Sequence, residues 1–240
     1  MAKRLDERYG AAGDPGALVA VTIAIRYFRE GCIMPNVENH KELVPFEHYT
    51  GLFEQLDPVE AAERCGVKYD PDAQVFTMRL LYVDYQITWP KFSIKSAAAD
   101  GFALYNLPAQ MLLIRYLLEG RRSVGTGAFL PYREMPWGEV YLKPFTGRCL
   151  NRAAFTFGTR LDAFRAAAAQ LPAIPLDKGD ASFQLEIMPG YDVRLIVWEG
   201  DDEFPPNSQI LFSDNFPKAF SAEDRTVVGD ILISDLKRRM

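Results

Sequence analysis

Ser182-Phe183-Gln184-Leu185-Glu186-Ile187, then Pro189-Gly190, then Tyr191-Asp192-Val193-Arg194-Leu195-Ile196-Val197-Trp198 is the stretch that decides the fold class. Phe183, Leu185 and Ile187 alternate with polar Ser182, Gln184 and Glu186, the period of a strand that keeps one face in a core. Pro189-Gly190 supplies the turn, so the second run returns antiparallel to the first. An acidic turn, Gly200-Asp201-Asp202-Glu203, leads past Pro205-Pro206 to a third strand around Ile210-Leu211-Phe212. Ser221 with Asp224 three residues on then starts a C-terminal helix, whose inward face carries Val227, Val228, Ile231 and Leu232.

Upstream of the hairpin, Thr159 to Leu171 has a helical stripe of Leu161, Phe164, Ala168 and Leu171, closed by Pro172. Phe129 to Phe145 is aromatic and punctuated by Gly and Pro. It reads as two short strands around a Met135-Pro136-Trp137-Gly138 turn. Leu107 to Glu119 is an amphipathic helix with Pro108 at its start and Gly120 past its end. The small residues between Ser96 and Gly101 form a candidate hinge. Gln74 to Trp89 reads as strand with both faces buried.

Asp57, Pro58, Glu60 and Gly66 punctuate a short helix at both ends. Residues 33–56 are mixed, because Pro35 and Pro45 interrupt any regular element. Asp14-Pro15 opens a helix that Gly31 closes, leaving residues 1–13 as an N-terminal tail. Regular βαβ alternation is absent and hairpin turns join the strands. The expectation is therefore α+β: a single domain over residues 14–240, with a mixed, mainly antiparallel sheet flanked by helices.

Composition narrows the function classes. Among 240 residues, 48% are hydrophobic and 25% charged, which removes disordered, collagen-like and disulfide-scaffold proteins. Lys and Arg total 27 against 32 Asp and Glu, a formal net charge of −5, so a phosphate backbone is repelled at long range and no nucleic-acid partner is expected. Arg121-Arg122 and Lys237-Arg238-Arg239 follow helix C-termini, where cations complement the helix dipole. Three separated cysteines, Cys32, Cys65 and Cys149, contain no C-x-x-C pair and fit a reduced state. No run is long and apolar enough for a membrane span, and the N-terminus lacks a signal-peptide pattern. The expected location is the cytoplasm.

Two clusters are candidates for chemistry. Tyr132, Arg133, Glu134, Trp137 and Tyr141 combine aromatic surface with a few charges, which a planar ligand or a partner requires. A sheet packed on helices requires the same aromatics, and that is the competing reading. Glu199, Asp201, Asp202 and Glu203 cluster carboxylates that suit Mg²⁺ or Ca²⁺, although they lack the alternation and central glycine of an EF-hand loop; a solvated turn explains them as well. His40, His48 and Cys32 match no metal-ligand spacing. Gly125-Thr126-Gly127 runs into a strand-like segment instead of a helix, so neither a P-loop nor a Rossmann fingerprint is present. No cofactor is assigned.

Two stretches carry a resemblance: Val197-Trp198-Glu199-Gly200-Asp201-Asp202-Glu203-Phe204-Pro205 with Ser221-Ala222-Glu223-Asp224, and Tyr132-Arg133-Glu134-Met135-Pro136-Trp137-Gly138 with Gly179-Asp180-Ala181. They resemble the bacterial domain-of-unknown-function family 3786, over most of residues 14–236. The resemblance implies an intracellular protein of anaerobic bacteria, in a family where some relatives carry an additional iron–sulfur domain. This chain lacks the clustered cysteines for such a domain. No catalytic residue comes with the family. The functional expectation is a ligand- or partner-binding accessory protein of anaerobic metabolism. The alternative is a divalent-metal-dependent enzyme built on the acidic turn at 199–203.

Overall fold

Two antiparallel sheets, linked through the turn at Leu81 and Tyr82, organise the chain. The computed structural model describes residues 40–97 and 106–240. The tail at 1–13, the helix expected from Asp14 to Gly31, Cys32 and most of the hinge at 96–101 lie outside the described residues. Within them, helix α1 (His40–Phe53) precedes α2 (Pro58–Cys65) and strands β1 (Lys68–Asp70), β2 (Val75–Leu80), β3 (Val83–Thr88) and β4 (Ser93–Ser96). Helix α3 (Leu107–Glu119) leads to β5 (Phe129–Pro131), α4 (Gly138–Phe145), α5 (Arg152–Phe157) and α6 (Leu161–Ala168). Strands β6 (Ile174–Pro175), β7 (Ala181–Met188), β8 (Tyr191–Trp198) and β9 (Asn207–Ser213) follow, and α7 (Ala222–Arg239) closes the chain.

The architecture is α+β, as read from the sequence. The strands divide into a four-stranded sheet ordered β1-β2-β3-β4 and a five-stranded sheet ordered β5-β9-β8-β7-β6. Every pairing in both is antiparallel. Glu42–Met240 forms one compact unit.

The Ser182–Trp198 hairpin forms as expected, with Ser182 opposite Ile196 and Met188 opposite Tyr191. The segment from Gln74 to Trp89, expected as one extended run, folds back on itself. Leu81 and Tyr82 adopt positive φ of 46° and 66°, the two-residue turn geometry that matches strand twist. Phe76, Met78 and Leu80 are buried while Arg79 is exposed, so only one face is covered. The non-glycine turn is held from outside. Leu81 N–H donates to the Ile187 carbonyl at 2.9 Å, and the Tyr82 hydroxyl accepts from Glu186 N–H at 2.8 Å. These bonds join the sheets where the β7–β8 pairing shifts register between Glu186 and Met188.

Pro45 does not interrupt regular structure as expected; it lies inside α1. A proline there removes one helical hydrogen bond. Packing compensates: Phe53 is fully buried, and both Phe46 and Phe53 meet Phe92 edge-on, at 5.8 and 5.7 Å between centroids. Helix α2 ends as its sequence requires: Asp57 accepts from Val59 and Glu60 N–H groups, and Gly66 takes the left-handed conformation. Helix α7 carries a reciprocal capping box between Ser221 and Asp224, and its core residues Val228, Leu232, Ile233 and Leu236 are fully buried.

Candidate functional site

The second strand expected within Phe129–Phe145 is a helix. After β5 the chain makes a 3₁₀ turn at Tyr132–Glu134, passes Met135 and Pro136, and enters α4 at Gly138. A helical spacing of Leu142, Phe145, Cys149 and Ala153 runs through this stretch and continues across a six-residue π-helical turn, Thr146–Asn151. Aromatic enrichment masks that spacing. Gly229 of α7 gives Cys149 its room, since a Cβ there would stand 2.6 Å from the Cys149 sulfur. On the outside, Asp230 accepts from Arg148 Nε at 3.1 Å and from Arg152 Nη1 at 3.3 Å, fastening the π turn to α7.

The turn before α4 is the most constrained part of the site. Trp137 sits at φ 62°, ψ 6°, a left-handed conformation that an L-residue other than glycine adopts at a cost of about 1–2 kcal/mol. Gly138 is obligatory for close approach, because a Cβ on it would meet the Tyr132 carbonyl oxygen at 2.0 Å. Arg225, in the first turn of α7, holds the turn closed. Its Nη2 donates to the Pro136 carbonyl at 2.6 Å and its Nη1 to the Phe220 carbonyl at 2.9 Å. The Arg225 residue is 1% exposed, and its Nε has no hydrogen-bond partner.

The fold separates the aromatic candidates. Tyr132 is core: its ring stacks on Phe145 at 4.0 Å with a 7° interplanar angle, and its hydroxyl donates to the Ala222 carbonyl at 2.8 Å. Burial pushes its hydroxyl pKa up. Arg133 is exposed, 3.9 Å from Glu139, and faces a different hollow on the other side of α4, beside Leu142, Leu150 and Gln209. Glu134 is exposed.

Trp137 and Tyr141, four residues apart on one helix face, do come together. With Pro136, Val140, Phe220 and Arg225 they line a groove of about 630 Å³ between α4 and the start of α7. Trp137 is 72% exposed and Val140 70%, an unusual display of apolar surface on a short helix. Sequence reading missed Val140, Phe220 and Arg225; the i,i+3 spacing of Trp137 and Val140 is the signal that marks the first of them.

Behind the groove lie a buried arginine, Arg225, and a buried carboxylate, Asp224, which pairs with the half-buried Arg115. Arg115 of α3 forms an ion pair with Asp224, whose other oxygen accepts from the Ser221 N–H at 3.0 Å. The Arg225 guanidinium carbon lies 5.4 Å from the Tyr132 ring centroid. Burial weighs against its charge and lowers its pKa from the ordinary arginine value.

The acidic turn is arranged differently. Asp201 Oδ1 accepts from Glu203 N–H at 2.9 Å and Phe204 N–H at 2.7 Å, so this carboxylate builds the turn itself. Asp202 and Glu203 are exposed. Glu199 lines a separate polar hollow with Arg160, Asp162 and Asp180. Among the described residues, no group of three or more His, Cys, Asp or Glu side chains is placed to hold a metal ion. His48 is exposed on α1, and Cys65 and Cys149 are buried free thiols. The last helical turn pairs its cations internally: Arg239 Nε lies 2.7 Å and Arg238 Nη2 3.1 Å from Asp235. No helix among the described residues is long and apolar enough to cross a membrane.

One family model matches the chain, over residues 57–235, and its description is Domain of unknown function (DUF3786). No curated protein and no solved structure matches it.

Proposed function

Since this chain belongs to the DUF3786 family, whose description assigns no reaction, we propose from the site itself that it is a ligand-binding accessory protein and that the Trp137 groove is where it binds. It works in the cytoplasm of an anaerobic bacterium, beside enzymes of that metabolism; reduced Cys65 and Cys149 suit that setting.

One observation carries the reading: an exposed tryptophan is held in a strained left-handed conformation by a buried arginine. A turn needed only for folding gains from glycine at that position, where the strain disappears. Placing a large aromatic there directs an indole into the groove beside Val140 and Tyr141, and strain of this kind concentrates at binding sites. A volume of about 630 Å³ suits a small molecule.

Saturation-transfer NMR with a library of aromatic and acyl acids, amines and neutral compounds tests this reading. Compounds that bind the wild-type chain should lose contact with Trp137→Ala, while its circular dichroism and melting point stay near wild type. A library that yields no binders, or binders indifferent to the substitution, overturns it.

A further inference from the structure

We propose that the groove selects a small carboxylate: an aromatic or acyl body lies against Trp137, Val140 and Tyr141, with its anionic end at the floor beside Arg225. The inference rests on the groove being the binding site and adds the class of ligand. It follows from the balance of buried charge. Arg225 is buried and the Arg115 side chain is mostly withdrawn from water, and the nearby carboxylate, Asp224, is paired with Arg115 and bonded to the Ser221 cap. Arg225 therefore keeps a positive charge bonded only to two neutral carbonyls, with its Nε unpartnered.

Its position makes the imbalance sharper. Arg225 stands in the first turn of α7, where the positive end of the helix dipole already disfavours a cation. Both effects give the groove floor a positive field, and a low-dielectric wall strengthens it. Two carboxylates oppose this field: buried Asp224, whose charge also acts on Arg225 but is paired with Arg115, and Glu223, exposed on the rim, which solvent screens. The walls are apolar and aromatic, so the remainder of the ligand is apolar too. A ligand of this shape brings the missing counter-charge with it.

Isothermal titration calorimetry of the full chain with 4-phenylbutyrate, 4-phenylbutyramide and 4-phenylbutylamine tests the proposal. These probes share a body and differ in charge. The acid should bind the wild-type protein at least tenfold more tightly than the amide, with the amine weakest. Glu223→Gln should tighten the acid about twofold. Equal affinity for acid and amide, or preference for the amine, overturns the carboxylate assignment while leaving the groove as the site. Binding of all three unchanged in Trp137→Ala overturns the groove reading and this inference with it. Absence of any binding at millimolar concentration overturns the carboxylate assignment, and the wider compound library then decides the groove itself. Arg225→Gln should reduce the acid-to-amide ratio to about threefold or less. Because that variant also releases two backbone carbonyls, the ratio on the wild-type chain is the deciding value.

Discussion

Arg225 donates to the Pro136 carbonyl oxygen at 2.6 Å across 89 positions of the chain, and this bond ties the first turn of α7 to the turn that presents Trp137. The same guanidinium thus shapes the groove and supplies the charge at its floor. Fold and proposed binding meet in one side chain, and the variants around it are expected to separate the two roles.

Gly138→Ala tests the tightness of the turn. Its Cβ would stand 2.0 Å from the Tyr132 oxygen, a backbone atom that cannot swing aside. A loss of about 2–4 kcal/mol is expected, with a fall of several degrees in the thermal midpoint by circular dichroism. An unchanged midpoint would show that the turn relaxes freely.

Trp137→Gly should separate stability from binding. Relief of the left-handed strain offsets the added freedom of glycine in the unfolded chain, so stability should be kept or raised by up to about 1 kcal/mol. Affinity for any groove ligand should fall at least tenfold. A large loss of stability in urea unfolding would mean that the exposed indole is a packing element instead.

Asp224→Asn leaves Arg115 without its buried counter-charge and weakens the cap at Ser221. Breaking one side of a buried pair typically destabilises by about 3–5 kcal/mol. Pairing it with Arg115→Met removes the orphaned charge, and more than half of that loss should return in urea unfolding. Strict additivity of the two substitutions would refute this coupling.

The buried thiols set the alkaline limit. Burial pushes the Cys65 pKa from 9.0 up to about 11, and burial also raises Cys149. The folded state holds these protons more tightly than the unfolded chain, so their contribution is present below pH 9, the unfolded value, and is lost as pH rises through about 11. Denaturant midpoints should therefore decline steadily above pH 9. In a Cys32→Ser background, a thiol reagent at neutral pH should react only after unfolding.

Where local chemistry specifies geometry, sequence and structure agree closely. Asp57-Pro58 and Gly66 bound α2, Pro189-Gly190 turns the second hairpin, and Ser221 with Asp224 starts α7. Disagreement arises where tertiary contacts override local preference. Leu81-Tyr82 has no turn composition, and its conformation is supported by bonds to Ile187 and to Glu186, the latter 104 residues away in sequence from Tyr82. Pro45 is tolerated in α1 because Phe46 and Phe53 pack on Phe92. In the candidate site, Trp137 and Tyr141 were legible as aromatic surface. Arg225 was not, since in sequence it is one more charge on a C-terminal helix, and only the fold carries it beneath Pro136.

Fluorine NMR of protein labelled with 5-fluorotryptophan offers the most direct test of the central claim, that the groove at Trp137 binds a small carboxylate. The chain contains three tryptophans, Trp89, Trp137 and Trp198, and only Trp137 lines that groove. Titration with 4-phenylbutyrate should move the Trp137 resonance saturably while the other two stay in place. A Trp137 resonance that stays fixed through millimolar ligand, or three resonances that drift together, would contradict the account.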